Sequence, residues 1–308
     1  YFDGRFYYYG TMYRHYNGFT QDNLIACYSS EDMETWVFEG TMTHKFPSGL
    51  TVAPDVKFNR NTGQYVMWLI NSNNYVVATA NRPIGPFTIA TMRADIHFAD
   101  DGNGDFALFI DEDGTGYLIA TITKDTDEPT ERHCIFIERL TDDYLGGTGE
   151  VSAKLAYNCE APVMFRRNGA YYALFDTTCC YCPAGTGVQV HTATDPLGPY
   201  TYRGNVNRKG DEDPEGISSP STEPGSGRED CIVPSQQRRI ALWRTASGPL
   251  LVWIGDRWGS ADDGLKGHDY TYIAPVRFAA DGMPARFEWL DTWSAEFTGA
   301  VAHHAFEE

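Results

Sequence analysis

Short apolar segments alternate with turn residues along the whole chain, and one pattern occurs five times. Each copy is an apolar strand, a turn that contains glycine, and a second strand rich in aromatic residues, which is the order typical of a β-hairpin. The turns are centred on Gly4, Gly63, Gly114, Gly169 and Gly248. No segment shows the 3.6-residue apolar period of a helix over three turns. The pattern therefore predicts an all-β protein.

The spacing of these turns predicts the architecture. The intervals between successive turn glycines run from 51 to 79 residues, close to the length of a four-stranded propeller blade. A second repeat supports this register, since Pro-Ile-Gly-Pro-Phe at 83–87 matches Pro-Leu-Gly-Pro-Tyr at 196–200, each between a third and a fourth strand. We therefore predict one five-bladed β-propeller domain over residues 1–308, in which a polar surface insertion at about 207–230 lengthens the last interval.

The first blade differs from the other four. Its hairpin turn lies at Gly4, so its innermost strand would precede Tyr1. Two interpretations remain open for this strand. Either the chain is trimmed at this end, or a C-terminal strand at 298–303 fills the place.

The charge balance limits the class of partner. The chain has 24 Lys and Arg residues against 42 Asp and Glu residues, which gives a net charge of −18. Because phosphate groups would be repelled, we expect no nucleic-acid binding and no association with an anionic membrane. Hydrophobic residues make up 42% of the chain, typical of a globular protein, and no apolar run approaches the ~18 residues of a membrane span. We also expect a monomer.

The cysteines predict a location. Seven cysteines in an acidic chain are typical of an oxidising compartment, and the odd number leaves one thiol spare. We therefore expect a secreted, extracellular protein with disulfide bonds. With the fourth hairpin turn at 168–169, antiparallel pairing brings Cys159 roughly opposite Thr178 and Cys179, so we expect a disulfide there.

Polar residues stand where the innermost strands of blades two to five begin, near 53–56, 105–108, 160–163 and 235–238. In a propeller these strands line the central axis, so we expect the polar side chains to converge there. Asp105 and Glu160 occupy equivalent positions of neighbouring blades. Two converging carboxyl groups are typical of glycoside hydrolysis. The alternative is that each carboxylate caps a strand or pairs with an arginine.

Four short motifs carry a family resemblance in addition. They are Phe-Ile-Asp-Glu-Asp-Gly at 109–114 after the axial Asp105, Glu-Ala-Pro at 160–162, Ser-Gln at 235–236 and Gly-Asp-Arg-Trp at 255–258. In this order and spacing, from Tyr7 to about Trp289, the chain resembles glycoside hydrolase family 43 and is most similar to its branch of exo-β-1,3-galactanases.

The resemblance implies roles for three residues. Glu160 matches the general acid, and Asp105 matches the residue that orients this acid and adjusts its pKa. Gln236 matches a glutamine of the galactanase branch, whose amide positions water and, as an imidic acid, would relay a proton. The alternative for Gln236 is a hydrogen bond across the channel.

The chain also departs from the galactanase branch. That branch usually has a glutamate at the position of Thr11 and Glu-Arg-Pro-Lys at 52–55, where this chain has Val-Ala-Pro-Asp. Two carboxylates expected to hold the terminal sugar are therefore absent, and Asp55 is not an obvious substitute for both.

Aromatic and polar side chains are predicted to hold the sugar. A flat aromatic ring stacks on a pyranose face, and Tyr181 and Trp258 are the candidates for this contact. Asp55, Asp256 and Arg257 are predicted to supply polar contacts. We expect no cofactor and no metal ligand: the turn at 111–114 imitates only the start of a calcium loop, and the eight histidines are scattered. A single calcium ion in the axial channel is compatible with the resemblance.

These observations favour an exo-acting, inverting glycoside hydrolase whose substrate is an oligo- or polysaccharide of plant or algal cell walls, of the β-1,3-galactan type. Inversion predicts that the acid and the water-positioning group stand on the order of 6.5–9.5 Å apart. One alternative is a non-catalytic carbohydrate-binding propeller, which the absent carboxylates favour. Another is an arabinosidase or xylosidase of the same family, which would need an Asp on blade one.

Overall fold

The computed structural model describes residues 1–2, 4–13, 18, 20, 23–42, 49–98, 102–123, 133–177, 181–210 and 231–297. Within them lie eighteen strands and a short 3₁₀ helix, Lys266–His268. The strands are β1 Phe6–Met12, β2 Leu24–Ser30, β3 Val37–Thr41, β4 Thr51–Asn59, β5 Gln64–Asn71, β6 Asn74–Ala80, β7 Thr88–Thr91, β8 Asn103–Ile110, β9 Gly116–Ile122, β10 Cys134–Leu140, β11 Gly147–Val151, β12 Cys159–Arg167, β13 Ala170–Thr177, β14 Gln189–Ala193, β15 Thr201–Asn205, β16 Gln236–Thr245, β17 Gly248–Asp256 and β18 Thr271–Pro275.

The strands form five antiparallel sheets that follow the chain in order. Blade one is β1-β2-β3, blade two β4-β5-β6-β7, blade three β8-β9-β10-β11, blade four β12-β13-β14-β15 and blade five β16-β17-β18. The predicted all-β, five-bladed propeller is therefore confirmed. No helix among the described residues is long and apolar enough to cross a membrane.

The turn glycines lie where the repeat placed them. Each has a positive φ, from 68° to 113°, which a side chain on that residue would disfavour. Four of them close the hairpin between the first two strands of a blade, and Gly4 closes the bridge between Phe2 and Arg5. The glycine spacing therefore reports the blade spacing.

Blade one has three strands among the described residues. Its β1 follows the Gly4 turn, as β5 follows the Gly63 turn, so β1 corresponds to the second strand of the other blades. An innermost strand is not present in the described part of this blade. The alternative occupant, at 298–303, lies outside the described residues.

The innermost strands of the other four blades share a β-bulge near their beginning. The register shifts fall between Val52 and Asp55, Asn103 and Phe106, Glu160 and Val163, and Gln237 and Arg239. In blades two and four the bulge is an Ala-Pro pair, with Ala53 and Ala161 at φ 54° and 53°. A bulge re-aims the side chains around it. These four bulges determine which polar residues face the axis.

The predicted disulfide of Cys159 is wrong. Cys159 is a buried thiol whose Sγ lies 3.4 Å from the carbonyl oxygen of Tyr157 and 3.8 Å from Nε2 of Gln189. Its partner in the register is Thr177, while Thr178 and Cys179 lie outside the described residues. Cys27, Cys134 and Cys231 are thiols as well, so the expectation of a single spare thiol is also wrong.

The predicted insertion at 207–230 has a buried asparagine as its first residue. Asn207 is buried, and its side chain donates to the carbonyl of Val233 at 3.0 Å and accepts from the amide of Val233 at 2.8 Å. This pair joins the two sides of the insertion, and residues 211–230 lie outside the described residues.

Candidate active site

A cavity of about 990 Å³ runs along the propeller axis. The beginnings of β4, β8, β12 and β16 line it, together with the end of β17 and residues of β1. Of the predicted site residues, it brings together Asp55, Asp105, Glu160, Gln236, Asp256 and Trp258. The convergence expected from the strand order is therefore observed.

Glu160 and Gln236 are in direct contact. The amide nitrogen of Gln236 donates to Oε1 of Glu160 at 3.0 Å, and the indole nitrogen of Trp258 donates to the carbonyl oxygen of Gln236 at 2.7 Å. Glu160 is 8% exposed and Gln236 2%. Because the indole fixes the amide, Gln236 presents only N–H donors to the carboxyl group. Gln236 therefore does not stand 6.5–9.5 Å from Glu160, as an inverting partner was expected to do.

Asp105 and Asp256 share one cation. Nη1 of Arg238 lies 3.3 Å from Oδ1 of Asp105, and Nε lies 3.1 Å from Oδ2 of Asp256. Burial raises the pKa of the Asp256 carboxyl, and Arg238 opposes that rise. This ion pair of Asp105 matches the alternative to a catalytic role, in which an axial carboxylate pairs with an arginine.

Asp55 lies on the cavity wall, but its carboxylate is engaged by protein groups. Oδ1 is 3.1 Å from Nζ of Lys57, and Oδ2 is 3.5 Å from Nε of Arg239. Oδ2 also accepts from the amide of Leu108, on the neighbouring blade, at 2.8 Å. With both oxygens paired, Asp55 connects blades two, three and five.

Tyr181 and Trp258 form an aromatic pair at the rim of the cavity. Their ring centroids are 4.9 Å apart in an edge-to-face arrangement. Nζ of Lys266 lies 3.4 Å from the Tyr181 centroid and 4.8 Å from that of Trp258. Trp258 lines the cavity, and Tyr181 packs behind it. Of the two, Trp258 is the ring that the cavity exposes to a ligand.

Arg257, like Tyr181, is a predicted site residue that the structure places outside the cavity lining. Its guanidinium lies 5.0 Å from the ring centroid of Trp289 and 6.0 Å from that of Tyr270. Both residues follow the end of β17, in a turn where the amide of Ser260 donates to the carbonyl of Arg257 at 3.2 Å, and only the Trp258 side chain lines the cavity.

The positions that lack the expected carboxylates lie on the cavity wall. Val52 and Thr11 both line it, and the Thr11 hydroxyl accepts from the amide of Ala53 at 3.2 Å. Tyr8 from the same strand also lines the cavity and hydrogen-bonds to Thr271 at 3.0 Å. This side of the cavity is therefore apolar and hydroxyl-bearing.

Sequence reasoning missed Arg238, Arg239, Lys266 and His133, all of which line the cavity. The two arginines follow Gln237, in a strand predicted to be innermost. Two adjacent cations in an axial strand require anionic or carbonyl partners, so this pair of arginines could have been recognised from the sequence as part of the site. His133 and Lys266 lie outside the repeat, and nothing local in the sequence marks them. No group of three His, Cys, Asp or Glu among the described residues is arranged to hold a metal ion.

The arrangement has the parts required for acid-assisted cleavage of an acetal. A carboxyl group that touches neutral donors, lies in a cavity and is largely shielded from water is able to hold a proton and deliver it. The aromatic rim and the ion-paired carboxylates supply apolar and polar contacts for a sugar ring.

Residues 1–284 match the family model of Glycosyl hydrolases family 43. An arabinoxylan arabinofuranohydrolase from Bacillus subtilis (strain 168) is 27% identical, over 61% of this chain and 43% of that protein. A second, from Paenibacillus polymyxa, is also 27% identical, over 34% of its length. The chain thus spans less than half the length of the curated relatives it matches.

Solved structures with a similar fold include two that act on β-1,3-galactosides by name. A family 43 β-1,3-galactosidase solved with galactodeoxynojirimycin has a TM-score of 0.72 at 21% identity, covering 95% of this chain and 93% of that one. An exo-β-1,3-galactanase from Phanerochaete chrysosporium solved with galactose has a TM-score of 0.68 at 21% identity, covering 92% and 60%. At these identities the likeness shows the fold.

Proposed function

Because the chain belongs to glycosyl hydrolases family 43 and is therefore a glycosidase, we propose that it is an exo-acting enzyme that removes terminal β-1,3-linked galactose from a cell-wall polysaccharide. The observation that carries the proposal is the buried carboxyl group of Glu160 on the cavity wall. Its described partners are the Gln236 amide and the His133 imidazole, neither of which carries a permanent charge. By contrast, Asp55, Asp105 and Asp256 are all paired with Lys or Arg.

In the proposed reaction Glu160 donates its proton to the glycosidic oxygen as the bond to the anomeric carbon breaks. A water molecule bonds to that carbon and gives up one proton, so a free sugar and an alcohol are formed. Gln236 holds the carboxyl group in one orientation through the contact fixed by Trp258.

Attack by water is favoured over attack by a carboxylate. A retaining enzyme needs a nucleophilic carboxylate ~5–5.5 Å from the acid. The carboxylates of Asp105 and Asp256 are held by Arg238, and that of Asp55 by Lys57 and Arg239. An ion-paired carboxylate is a weaker nucleophile, so we propose inversion of configuration.

The choice of galactose rests on two lines of support. The motifs at 109–114, 160–162 and 235–236 follow the galactanase branch, and galactose-acting structures share the fold. We further propose that the protein is secreted, because the proposed substrate is an extracellular polymer, and that it is monomeric.

A second candidate is an arabinofuranosidase. The curated relatives at 27% identity are arabinoxylan arabinofuranohydrolases, and the wall around Val52 and Thr11 lacks the carboxylates of the galactanase branch. A third is a carbohydrate-binding propeller without turnover, which the same absence favours.

The experiment is hydrolysis of a substrate panel by the protein and by Glu160→Gln. The panel contains β-1,3-galacto-oligosaccharides, an aryl β-galactoside, arabinoxylan oligosaccharides and an aryl α-arabinofuranoside. Galactose released one unit at a time supports the proposal, and NMR of the first product anomer tests inversion. Arabinose as the product favours the second candidate. Binding detected by calorimetry with no product from any substrate favours the binding propeller.

A further inference from the structure

His133 lies on the cavity wall beside Glu160. Its backbone carbonyl accepts from the amide of Cys159 at 3.0 Å, which ties it to the residue before Glu160. Its ring nitrogen Nδ1 lies 3.6 Å from Oε2 of Glu160, within ion-pair distance. The φ of His133 is 52°, in the left-handed region that residues other than glycine seldom adopt. Uncommon backbone conformations of this kind cluster at functional sites.

Hydrogen-bond donors determine which oxygen of Glu160 carries the proton. The carbonyl oxygen of the Gln236 amide accepts from Trp258, so the NH₂ group faces Oε1 of Glu160. An NH₂ group only donates, and Oε1 must therefore be the acceptor. In the neutral acid the proton then lies on Oε2, the oxygen beside His133.

We propose that His133 is a positioning residue for the acid, and that His133 and Glu160 hold one exchangeable proton between them. This inference rests on the proposed role of Glu160 as proton donor. In the competent form the proton is on Oε2 of Glu160, and Nδ1 of His133 accepts it as a hydrogen bond. The His133 side chain is 33% exposed, so the imidazole also exchanges protons with solvent.

The proton balance over one turnover is complete. When the glycosidic oxygen takes the proton from Oε2, Glu160 becomes a carboxylate. The neutral His133 ring then takes up a proton from solvent at Nδ1, and the imidazolium so formed passes this proton from Nδ1 to Oε2, which leaves the ring neutral again. The proton released by the attacking water leaves to solvent, so the pair ends the cycle as it began.

Charged groups from other strands line the same cavity. Asp105 on β8 and Asp256 on β17 are both paired with Arg238 on β16, one cation against two carboxylates. Lys266 and Asp269 add one charge of each sign. The lining as a whole carries seven Lys and Arg side chains against six Asp and Glu side chains besides Glu160, so these charges nearly balance, and retention of the shared proton is attributed to the pairing of His133 with Glu160.

The first test is the pH profile of kcat/KM for His133→Asn, since asparagine tolerates a positive φ. A carboxyl group and an imidazole that share a proton keep it to higher pH than the carboxyl group alone. We expect the basic limb to move to lower pH by about one unit, on the order expected for an adjacent opposite charge. On that limb kcat/KM falls about tenfold, while on the acidic side it stays within about twofold.

The control for the backbone is His133→Gly, which keeps the left-handed conformation and removes the ring. We expect the same displaced limb, and partial recovery of turnover when imidazole is added. A uniform loss of rate at every pH overturns the proposal, because a purely structural role of His133 would lower kcat/KM by the same factor at every pH. A profile identical to that of the parent protein overturns it as well.

The second test does not depend on activity. Proton NMR follows the His133 ring, assigned by its absence in His133→Asn, in the parent protein and in Glu160→Gln. Removal of the carboxylate is expected to lower the titration midpoint of His133, and an unchanged midpoint overturns the proposal. If no glycoside is hydrolysed, the proposed function fails, and the NMR comparison still decides whether the pair shares a proton.

Discussion

The innermost strands of blades two and four contain the same Ala-Pro bulge, but the carboxylate follows the bulge in blade two and precedes it in blade four. Both innermost strands have an Ala-Pro bulge, but blade two has Val52 before it and Asp55 after it, whereas blade four has Glu160 before it and Val163 after it. Val52 and Glu160 both line the cavity. Asp55 bonds to the backbone of the next blade, and Val163 is buried in the core.

The difference shows that position relative to the bulge decides what a carboxylate does. After the bulge, Asp55 meets Lys57 and Arg239 and is held as an anion that connects blades. Before the bulge, Glu160 meets an amide and an imidazole, which leave it able to carry a proton. The first carboxylate is therefore expected to matter for stability and the second for turnover.

The largest expected effect follows from Glu160→Gln. The change keeps the shape and the contact with Gln236 but removes the proton donor, so turnover should fall by ~10²–10⁴ with little change in the free energy of unfolding. Single-turnover kinetics and chemical denaturation of the same preparation measure the two quantities. Undiminished hydrolysis would show that another group donates the proton.

Asp55→Asn should have the opposite signature. The change leaves the Arg239 guanidinium largely buried without its carboxylate, and removing one partner of a buried ion pair typically costs about 3–5 kcal/mol in the free energy of unfolding. Denaturant unfolding measures this loss. Asp95→Asn, at an exposed site, is the control and should change stability by less than ~0.5 kcal/mol. Equal stability of the Asp55 and Asp95 variants would contradict the role of Asp55 in connecting the blades.

Trp258→Phe tests whether the indole hydrogen bond holds the Gln236 amide in its orientation. Loss of the indole donor frees the amide to rotate, and a hydrogen bond worth about 0.5–1.5 kcal/mol corresponds to a roughly two- to tenfold lower kcat. Trp68→Phe is the matched control, because its indole donates to the carbonyl of Tyr144 in the core. The control should lower stability and spare kcat. The comparison fails if both variants lose turnover equally.

The smallest expected effect concerns a third carboxylate, Glu138, which is fully buried and bonded to His97 at 2.6 Å. This hydrogen bond raises the pKa of His97 above 6.5. The contribution of His97 to stability is therefore present in full below pH 6.5 and is lost as the pH rises through the raised value. Because His97 is half-exposed, we expect less than about 1 kcal/mol.

The measurement compares the unfolding free energy of the parent protein with that of His97→Ala at pH 5.5 and pH 8.5. The difference in unfolding free energy between the parent protein and the variant should be larger at pH 5.5 than at pH 8.5. A gap that does not change with pH would mean that the His97 contact is not charge-dependent.

The hairpin repeat, the blade count and the axial position of Glu160, Asp105 and Gln236 were all available from the sequence. They depend on local signals, namely the alternation of apolar residues and the need for a positive φ at the turns. The predicted Cys159 disulfide was wrong. The strand register predicts which backbone segments are neighbours, but it does not determine whether two side chains point towards each other.

Only the tertiary structure decided the partners of each carboxylate. Arg238 and Asp105 are 133 residues apart, and Gln236 and Glu160 are 76 apart. Whether a carboxyl group in the cavity is an anion or a proton donor depends on the charges that distant segments bring to it, since burial and neighbouring charge together set the protonation state. The chain order placed the acid on the axis, and the packing of the blades brought the Gln236 amide and the His133 imidazole to it.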